Sequence, residues 1–213
     1  MMALATLMMS DVANARPRPA PAPATIVALG TSLTALGGWP DALQAAFAAR
    51  HCRIKVVTIA RPGMNSRWGR LQLDRVVAAR PAAVLIEFAA TDAALTHFVP
   101  LLRSRATMQA IRTELHQRVP GIRLWTLGMS PAWGLRGWVR PLLNRYTDAH
   151  LQDTAASGDG VIDFRADWGR LPASRRRALI PDGVHPTRAA ATGIMLPRLT
   201  ATLAGLCHGE GHP

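Results

Sequence analysis

The sequence predicts an α/β fold in which helices cover both faces of one open, parallel β-sheet. Strand-like and helix-like stretches alternate five times along the chain, which is typical of parallel strands joined by crossover helices. The run at residues 83–88 is apolar throughout apart from one glutamate, as in a strand that is covered on both faces. With 213 residues, 49% of them hydrophobic, the chain is long enough to bury one sizeable core, so we expect one domain.

Five apolar runs are the predicted strands, and five helical patterns separate or follow them. The predicted strands are residues 26–29, 54–58, 83–88, 122–127 and 160–163. The predicted helices, with apolar residues three and four positions apart, are residues 39–50, 71–80, 104–118, 141–156 and 187–206. In an open parallel sheet, ligands bind beyond the carboxyl ends of the strands, near the point where the strand order reverses. The loops after the first four strands are therefore expected to form the functional rim.

The chain is strongly basic, but its positive charge is dispersed. The formal net charge is +12 at pH 7, which raises nucleic acid as a partner. The densest basic cluster is only residues 175–177, and no basic run alternates with aromatic residues. We therefore expect no nucleic-acid binding and favour an anionic or sugar-acid substrate. The sequence also has no glycine-rich nucleotide fingerprint and no uncharged apolar stretch of about 18 residues, so no membrane-spanning helix is expected.

Residues 1–24 differ in composition from the rest of the chain. An apolar patch at residues 1–9 is followed by Ala-Asn-Ala at residues 13–15, which has the form of a signal-peptidase site. A Pro- and Ala-rich spacer comes next. We interpret residues 1–24 as signal-like or disordered, residues 25–207 as the folded domain and residues 208–213 as a flexible tail. A periplasmic or secreted location is favoured, and a cytoplasmic protein with an unstructured amino terminus is the alternative.

The two cysteines, Cys52 and Cys207, are far apart in the sequence and form no C-x-x-C motif. A metal or redox motif is therefore not expected. Two buried free thiols are the ordinary expectation, and a disulfide is the alternative if the protein is exported. His208 and His212, in the tail next to Cys207, are metal-binding residue types, but a frayed terminus explains them more simply. No metal and no cofactor is predicted.

Two short motifs supply the residue types of a serine hydrolase. Ser32 comes directly after the first predicted strand, where it is either a helix cap or a nucleophile. Before the last helix, Asp182 lies three residues ahead of His185. A carboxylate at that spacing can brace one imidazole nitrogen while the other reaches a hydroxyl. Together the motifs offer a nucleophile, a base and an orienting acid.

These motifs resemble those of the SGNH, or GDSL, hydrolase superfamily. The family's first block, G-D-S-L, corresponds to residues 30–33, with Thr31 in place of Asp. Gly63 matches the loop glycine of the second block, and residues 89–92 (Ala-Ala-Thr-Asp) stand at the third block, G-x-N-D. The last block, D-x-x-H-P, is complete at residues 182–186. The resemblance extends over nearly the whole predicted domain.

The resemblance implies a flavodoxin-like three-layer α/β/α sandwich with a five-stranded parallel sheet, and ester hydrolysis through an acyl-enzyme. In that scheme His185 takes the proton of Ser32, and Asp182 holds the imidazole. The oxyanion hole would consist of the backbone N–H groups of Ser32 and Gly63 and the side chain of Thr91. Thr91 stands where the family has Asn, and its hydroxyl is shorter. Loss of one oxyanion donor costs on the order of 10²–10³ in rate, so a weakened enzyme is the expectation.

The remaining polar residues have simpler predicted roles. Asp92 is expected to cap the turn that follows it, and Glu87, at the end of a buried strand, needs a partner such as an Arg to stay ionised. Four histidines, His51, His97, His116 and His150, are expected on the surface or on helix faces.

Three residues of the loop after the fourth strand are predicted to bind substrate, namely Trp133, Arg136 and Trp138. Aromatic rings there can stack on a sugar or close over an acyl chain.

The function predicted is a serine ester hydrolase that cleaves a small acyl group, for example acetyl, from a small-molecule or carbohydrate ester. One alternative is an acyltransferase that uses the same three residues, with a sugar hydroxyl in place of water. Another is a binding protein of this fold with weakened catalysis. A flavodoxin-like phosphate cradle built from Thr31, Ser32 and Thr34 is the least favoured, because it leaves Asp182 and His185 without a role. The oligomeric state is not predicted.

Overall fold

The computed structural model describes residues 23–207, and the expectations for residues 1–22 and 208–213 lie outside the described residues. Its centre is a five-stranded parallel sheet with the strand order β2-β1-β3-β4-β5. The strands are β1 Ala24–Gly30, β2 Ile54–Ala60, β3 Ala83–Glu87, β4 Arg123–Gly128 and β5 Gly160–Asp163. The predicted open parallel sheet is confirmed, and its strand order reverses between β1 and β3.

Helices connect the strands and pack on both faces of the sheet. Those within the described residues are α1 Ser32–Ala35, α2 Trp39–Ala49, α3 Ser66–Arg70, α4 Leu73–Ala78, α5 Ala89–Asp92, α6 Leu101–Arg118, α7 Gly134–Trp138, α8 Leu143–Ala156, α9 Arg165–Gly169, α10 Ala173–Leu179 and α11 Arg188–Thr202, with 3₁₀ turns at Leu95–His97 and Ala204–Leu206. No helix in this part of the chain combines the length and apolar character that a membrane span needs.

The central strand β1 separates two apolar cores. Ile26 and Ala28 point into the core that contains α2 and α11, whereas Val27 and Leu29 point into the core that contains α4 and α6. Successive side chains of a strand point to opposite faces, so a strand covered by helices on both faces must be apolar at every position. This is why the sequence of β1 shows no polar alternation, and it confirms the three-layer arrangement.

The main difference from the predicted elements is a set of short helices at the carboxyl edge of the sheet. One short helix follows each strand directly or after a brief loop: α1, α3, α5, α7 and α9. Each spans only four or five residues, too few to show an apolar repeat in the sequence. The helix expected at residues 71–80 is accordingly limited to α4, preceded by the separate turn α3.

A disulfide joins Cys52 and Cys207, and the expectation of two free thiols was wrong. Their Cα atoms are 5.1 Å apart, although 155 positions separate them in the sequence. The reason lies in tertiary packing, because α2 lies against α11. Cys52 follows α2 and Cys207 follows the turn after α11, so the contact between these helices brings the two residues together. The bond therefore ties the carboxyl terminus of the described chain to the start of β2.

Candidate active site

Ser32 is the first residue of α1, directly beyond the carboxyl end of β1. Thr31, and not Ser32, is the helix cap, since its side-chain oxygen accepts a hydrogen bond from the backbone N–H of Leu33. The Ser32 hydroxyl is therefore not engaged in capping. It lies at the point where the strand order reverses, which is where ligand sites form in sheets of this type.

The structure brings His185 and Asp182 to this serine. His185 Nε2 lies 2.8 Å from Ser32 Oγ, and His185 Nδ1 lies 2.6 Å from Asp182 Oδ2. The other carboxylate oxygen of Asp182 accepts the backbone N–H groups of Val184 and His185. Partial burial raises the pKa of Asp182, but these hydrogen bonds outweigh it and hold that pKa well below its usual range. The ionised Asp182 accepts a hydrogen bond from the Nδ1–H group of His185, which leaves the Nε2 lone pair directed at Ser32.

Two free backbone donors and one hydroxyl are present in the loops predicted to form the oxyanion hole. Neither the N–H of Ser32 nor that of Gly63 has a hydrogen-bond partner among residues 23–207. Gly63 has a φ of +73°, a left-handed conformation that glycine adopts without strain. Thr91 is buried within α5, and its backbone N–H donates a hydrogen bond to the carbonyl of Phe88. Its hydroxyl is the group that remains for a ligand, since it has no bond to any described residue.

Glu87 holds the turn that carries Ser32, and the partners that it was expected to need come from Thr31 and Thr34 instead of the Arg suggested as an example. This carboxylate, at the end of β3, accepts hydrogen bonds from the backbone N–H of Thr31 at 2.6 Å, from the Thr31 hydroxyl and from the Thr34 hydroxyl. Burial raises the pKa of Glu87 to about 7, with these hydrogen bonds opposing the rise. A Cβ at position 30 would collide with the same carboxylate, so Gly30 is needed for this close approach.

The three residues predicted to bind substrate occupy different environments. Trp133 is half-buried against the core, and its backbone N–H donates to the carbonyl of Gly183, in the loop between Asp182 and His185. Arg136 Nε lies 3.4 Å from Asp182 Oδ2. Trp138 is 76% exposed. Trp133 and Arg136 thus contact the Asp182–His185 loop, and Trp138 is the ring that lies open on the rim.

The model of the GDSL-like lipase/acylhydrolase family matches residues 28–192. This chain belongs to that family. The match runs from β1 into α11 and so includes Ser32, the Gly63 loop and His185.

Solved structures of an acylhydrolase and of two esterases share the fold of this GDSL-like chain at low sequence identity. A lipase/acylhydrolase from Enterococcus faecalis is 20% identical, with 85% of this chain and 96% of that chain covered and a TM-score of 0.73. The acetylxylan esterase Axe2 from Geobacillus stearothermophilus is 18% identical, with 87% and 94% covered and a TM-score of 0.70. The psychrotrophic esterase EstA from Pseudoalteromonas sp. is 20% identical, with 84% and 98% covered and a TM-score of 0.65. A comparison with curated proteins gives no match.

A second group of Ser, His and Asp side chains in this GDSL-like protein was missed by the sequence analysis. Asp92 Oδ1 accepts the backbone N–H of Ser66, and Asp92 Oδ2 accepts the Ser104 hydroxyl at 2.5 Å. Ser104 Oγ also lies 2.7 Å from Nε2 of His150. All three side chains are buried. The bonds of both Asp92 oxygens go to Ser66 and Ser104, so Asp92 does not cap the turn after it. Instead, Asp92 ties the turn that carries Thr91 to α3, the helix that follows the Gly63 loop.

His150 lies on the inner face of α8. Burial, together with the nearby charge of Arg112, lowers the pKa of His150 to about 4, so the imidazole is neutral near pH 7. The sequence signal was its spacing from Leu143 and Tyr146, which placed it on an apolar helix face. The other histidines differ: His51 and His116 are exposed and His97 is half-buried. Within residues 23–207, no group of three or more His, Cys, Asp or Glu side chains is placed to hold a metal ion.

Proposed function

We propose that this protein hydrolyses a carboxylic ester through an acyl-enzyme formed on Ser32. The observation that carries the proposal is the pair of short contacts on His185, whose Nε2 lies 2.8 Å from Ser32 Oγ while its Nδ1 is held by Asp182 at 2.6 Å. Both distances are within hydrogen-bond reach, as a general base requires. Membership of an acylhydrolase family supports the same reaction class.

In the proposed reaction, His185 Nε2 takes the proton of Ser32 as Oγ attacks the carbonyl carbon of the ester. The negative charge that develops on the carbonyl oxygen is stabilised by the N–H groups of Ser32 and Gly63 and the hydroxyl of Thr91. The protonated His185 then gives its proton to the departing alcohol, and the acyl group stays on Ser32. Water, deprotonated by His185, hydrolyses the acyl-enzyme and releases the acid.

The proposed substrate class is a small acyl ester, for example an acetyl group on a carbohydrate. The acetylxylan esterase from Geobacillus stearothermophilus has the same fold, which supports this choice. The exposed ring of Trp138 is suited to stacking on a sugar. We further propose export from the cytoplasm, supported by the Cys52–Cys207 disulfide, since disulfides persist in oxidising compartments.

The proposal is tested by Ser32→Ala, assayed on short-chain nitrophenyl esters and on acetylated sugars. Because the nucleophile is removed, we expect kcat to fall by about 10⁶-fold, the size of the loss in a well-studied serine protease. Ser174→Ala is the matched control, since Ser174 is an exposed serine on α10, and it should keep full activity. Unchanged hydrolysis by the Ser32 variant would rule the proposal out. Addition of acceptor sugars to the native enzyme, with analysis for acylated products, distinguishes hydrolase from acyltransferase.

A catalytically weakened binding protein is the second candidate, and Thr91 is the observation that favours it. Its hydroxyl stands where the family has an Asn side chain, which reaches further. We therefore expect Thr91→Asn to raise kcat, by up to the 10²–10³-fold that one oxyanion donor is typically worth. Thr91→Val, which removes the hydroxyl and keeps the shape, is the matched control and should lower kcat. Equal rates in both variants would show that the Thr91 side chain does not stabilise the oxyanion.

A further inference from the structure

Most of the exposed large apolar side chains lie in segments that follow the strands at the carboxyl edge of the sheet. Within residues 23–207, the most exposed large apolar residue is Phe98, at 86%, and Leu95 beside it is 58% exposed. Both lie in the loop that leads from α5 to α6. Further exposed apolar residues follow the other strands on this edge, including Leu71 after β2 and Leu135 after β4. Solvent exposure of this much apolar surface is unfavourable for an isolated soluble protein.

The exposed Phe98 has an unfavourable backbone conformation. Its φ is +48°, a left-handed conformation that is unusual for a bulky residue. The Leu95 N–H donates to the carbonyl of Val139 at 2.9 Å. This bond joins the loop to the segment that carries the exposed Trp138. Leu95 and Phe98 also line one shallow cavity, so these two exposed side chains form one apolar surface.

A basic groove lies directly beside this apolar surface. The groove has a volume of about 820 Å³ and is lined by Phe98 and Leu71 together with Arg67, Arg70 and Arg103. Glu114 is the one carboxylate in its lining, and it is already paired with Arg70 and Arg118. The groove is therefore positively charged, as is the chain as a whole at +12.

We propose that this face, defined by Leu95, Phe98 and the groove arginines Arg67, Arg70 and Arg103, docks on a bilayer that contains anionic phospholipids. The Phe98 ring and the Leu95 side chain enter the interface between headgroups and acyl chains, and the arginines contact lipid phosphates. A soluble polyanion would engage the arginines but would leave Leu95 and Phe98 in water. A neutral sugar polymer would stack on the Phe98 ring but would carry no charge for the arginines to attract. A lipid surface satisfies both sets of side chains.

Docking goes beyond the proposed hydrolysis, and it is measured without any turnover. The intact protein is sedimented with vesicles of phosphatidylcholine alone and with vesicles that contain phosphatidylglycerol. We expect binding to the anionic vesicles, weakened by salt because screening reduces the attraction. Ser32→Ala should bind as well as the native protein, so that failure of the esterase proposal and failure of docking are separate results.

Paired variants test the two parts of the surface. Arg67→Gln/Arg103→Gln should weaken binding by about 25-fold, since one arginine near an anionic membrane contributes about fivefold. Its control is Arg175→Gln/Arg177→Gln, on α10 and outside the proposed face. Leu95→Ser/Phe98→Ser should weaken binding at least about tenfold, with Val161→Ser, an exposed residue of β5, as its control.

Three outcomes would overturn the proposal. The first is equal binding to both vesicle types or no binding, and the second is an equal loss in the control variants. The third is an unchanged affinity of Leu95→Ser/Phe98→Ser, which would show that the arginines bind polyanions without insertion of the apolar residues.

Discussion

The two Ser–His–Asp groups of this molecule have the same side chains and similar distances but opposite environments. In the group at the sheet edge, His185 lies between Ser32 and Asp182, and both contacts are at 2.6–2.8 Å. In the buried group, Ser104 lies in the middle, 2.5 Å from Asp92 and 2.7 Å from His150. The order of the three residues therefore differs, and with it the chemistry available to each.

The difference shows that composition and distance do not make a nucleophile. Asp182 is hydrogen-bonded to the imidazole and orients it, whereas Asp92 accepts the hydrogen bond of the serine hydroxyl itself. The Nδ1 of His150 is left without a partner among the described residues. A base must also be able to accept a proton near neutral pH. His150, with its pKa lowered to about 4 by burial, is poorly suited to do so. The buried group is therefore a brace between α3, α5, α6 and α8.

The largest expected contrast between the two groups comes from the same substitution made in each group. Asp182→Asn should lower kcat by about 10⁴-fold, because an amide favours the wrong tautomer of the catalytic imidazole. Asp92→Asn should keep kcat within about tenfold of the native value, because the buried chain of hydrogen bonds can reverse. The new amide then donates to Ser104, which in turn donates to His150. Steady-state kinetics on a nitrophenyl ester decide between these expectations, and equal losses in both variants would contradict the comparison.

The features that could be predicted from the sequence are those that depend on residues close together in the chain. Each strand is a short apolar run, and in the central strands β1 and β3 this character follows from burial on both faces, so the sheet was predictable. Ser32, Asp182 and His185 lie in loops at strand ends or before a helix, where the topology itself brings them to one edge. The short helices after the strands were missed, because four or five residues carry no periodic signal.

The features that could not be predicted depend on contacts between distant segments. The hydrogen bonds of Glu87 come from Thr31 and Thr34, more than 50 positions away. The disulfide depends on the packing of α2 against α11. In each case a residue type was visible in the sequence, but its partner was fixed only by tertiary structure.

The second expected effect is on stability at acid pH, and it arises from His150. Its pKa falls from 6.5 to about 4 on folding, so between these values the unfolded chain binds a proton that the native protein does not. The contribution of His150 to the free energy of unfolding is complete above about pH 6.5 and is lost as the pH falls towards 4, a change of about 3 kcal/mol. Glu87 has the opposite sign, because its pKa is raised by burial. Its contribution is present below about pH 4.5 and is lost as the pH rises through about 7.

Urea unfolding of the native protein and of His150→Gln, followed from pH 4 to pH 7, separates the two contributions. Gln keeps an N–H group for Ser104 but does not titrate, while Glu87 is unchanged in both proteins. The stability difference, native minus variant, should therefore fall by about 3 kcal/mol between pH 6.5 and pH 4. Parallel curves would show that His150 is protonated in the folded protein.

The smallest expected effect comes from Ser104→Ala, which removes the central hydroxyl of the buried group. Asp92 Oδ2 and His150 Nε2 then each lose a partner in a site without water access, at a cost of about 1–3 kcal/mol in the free energy of unfolding. The hydrolysis rate should stay within a few-fold of the native rate, because Ser104 contacts neither Ser32 nor His185. Urea unfolding gives the change in the free energy of unfolding, and ester hydrolysis on the same preparation gives the change in rate. Ser174→Ala is the exposed control. A large loss of kcat with unchanged stability would mean that the buried group takes part in the chemistry, and the distinction between brace and catalytic group would then fail.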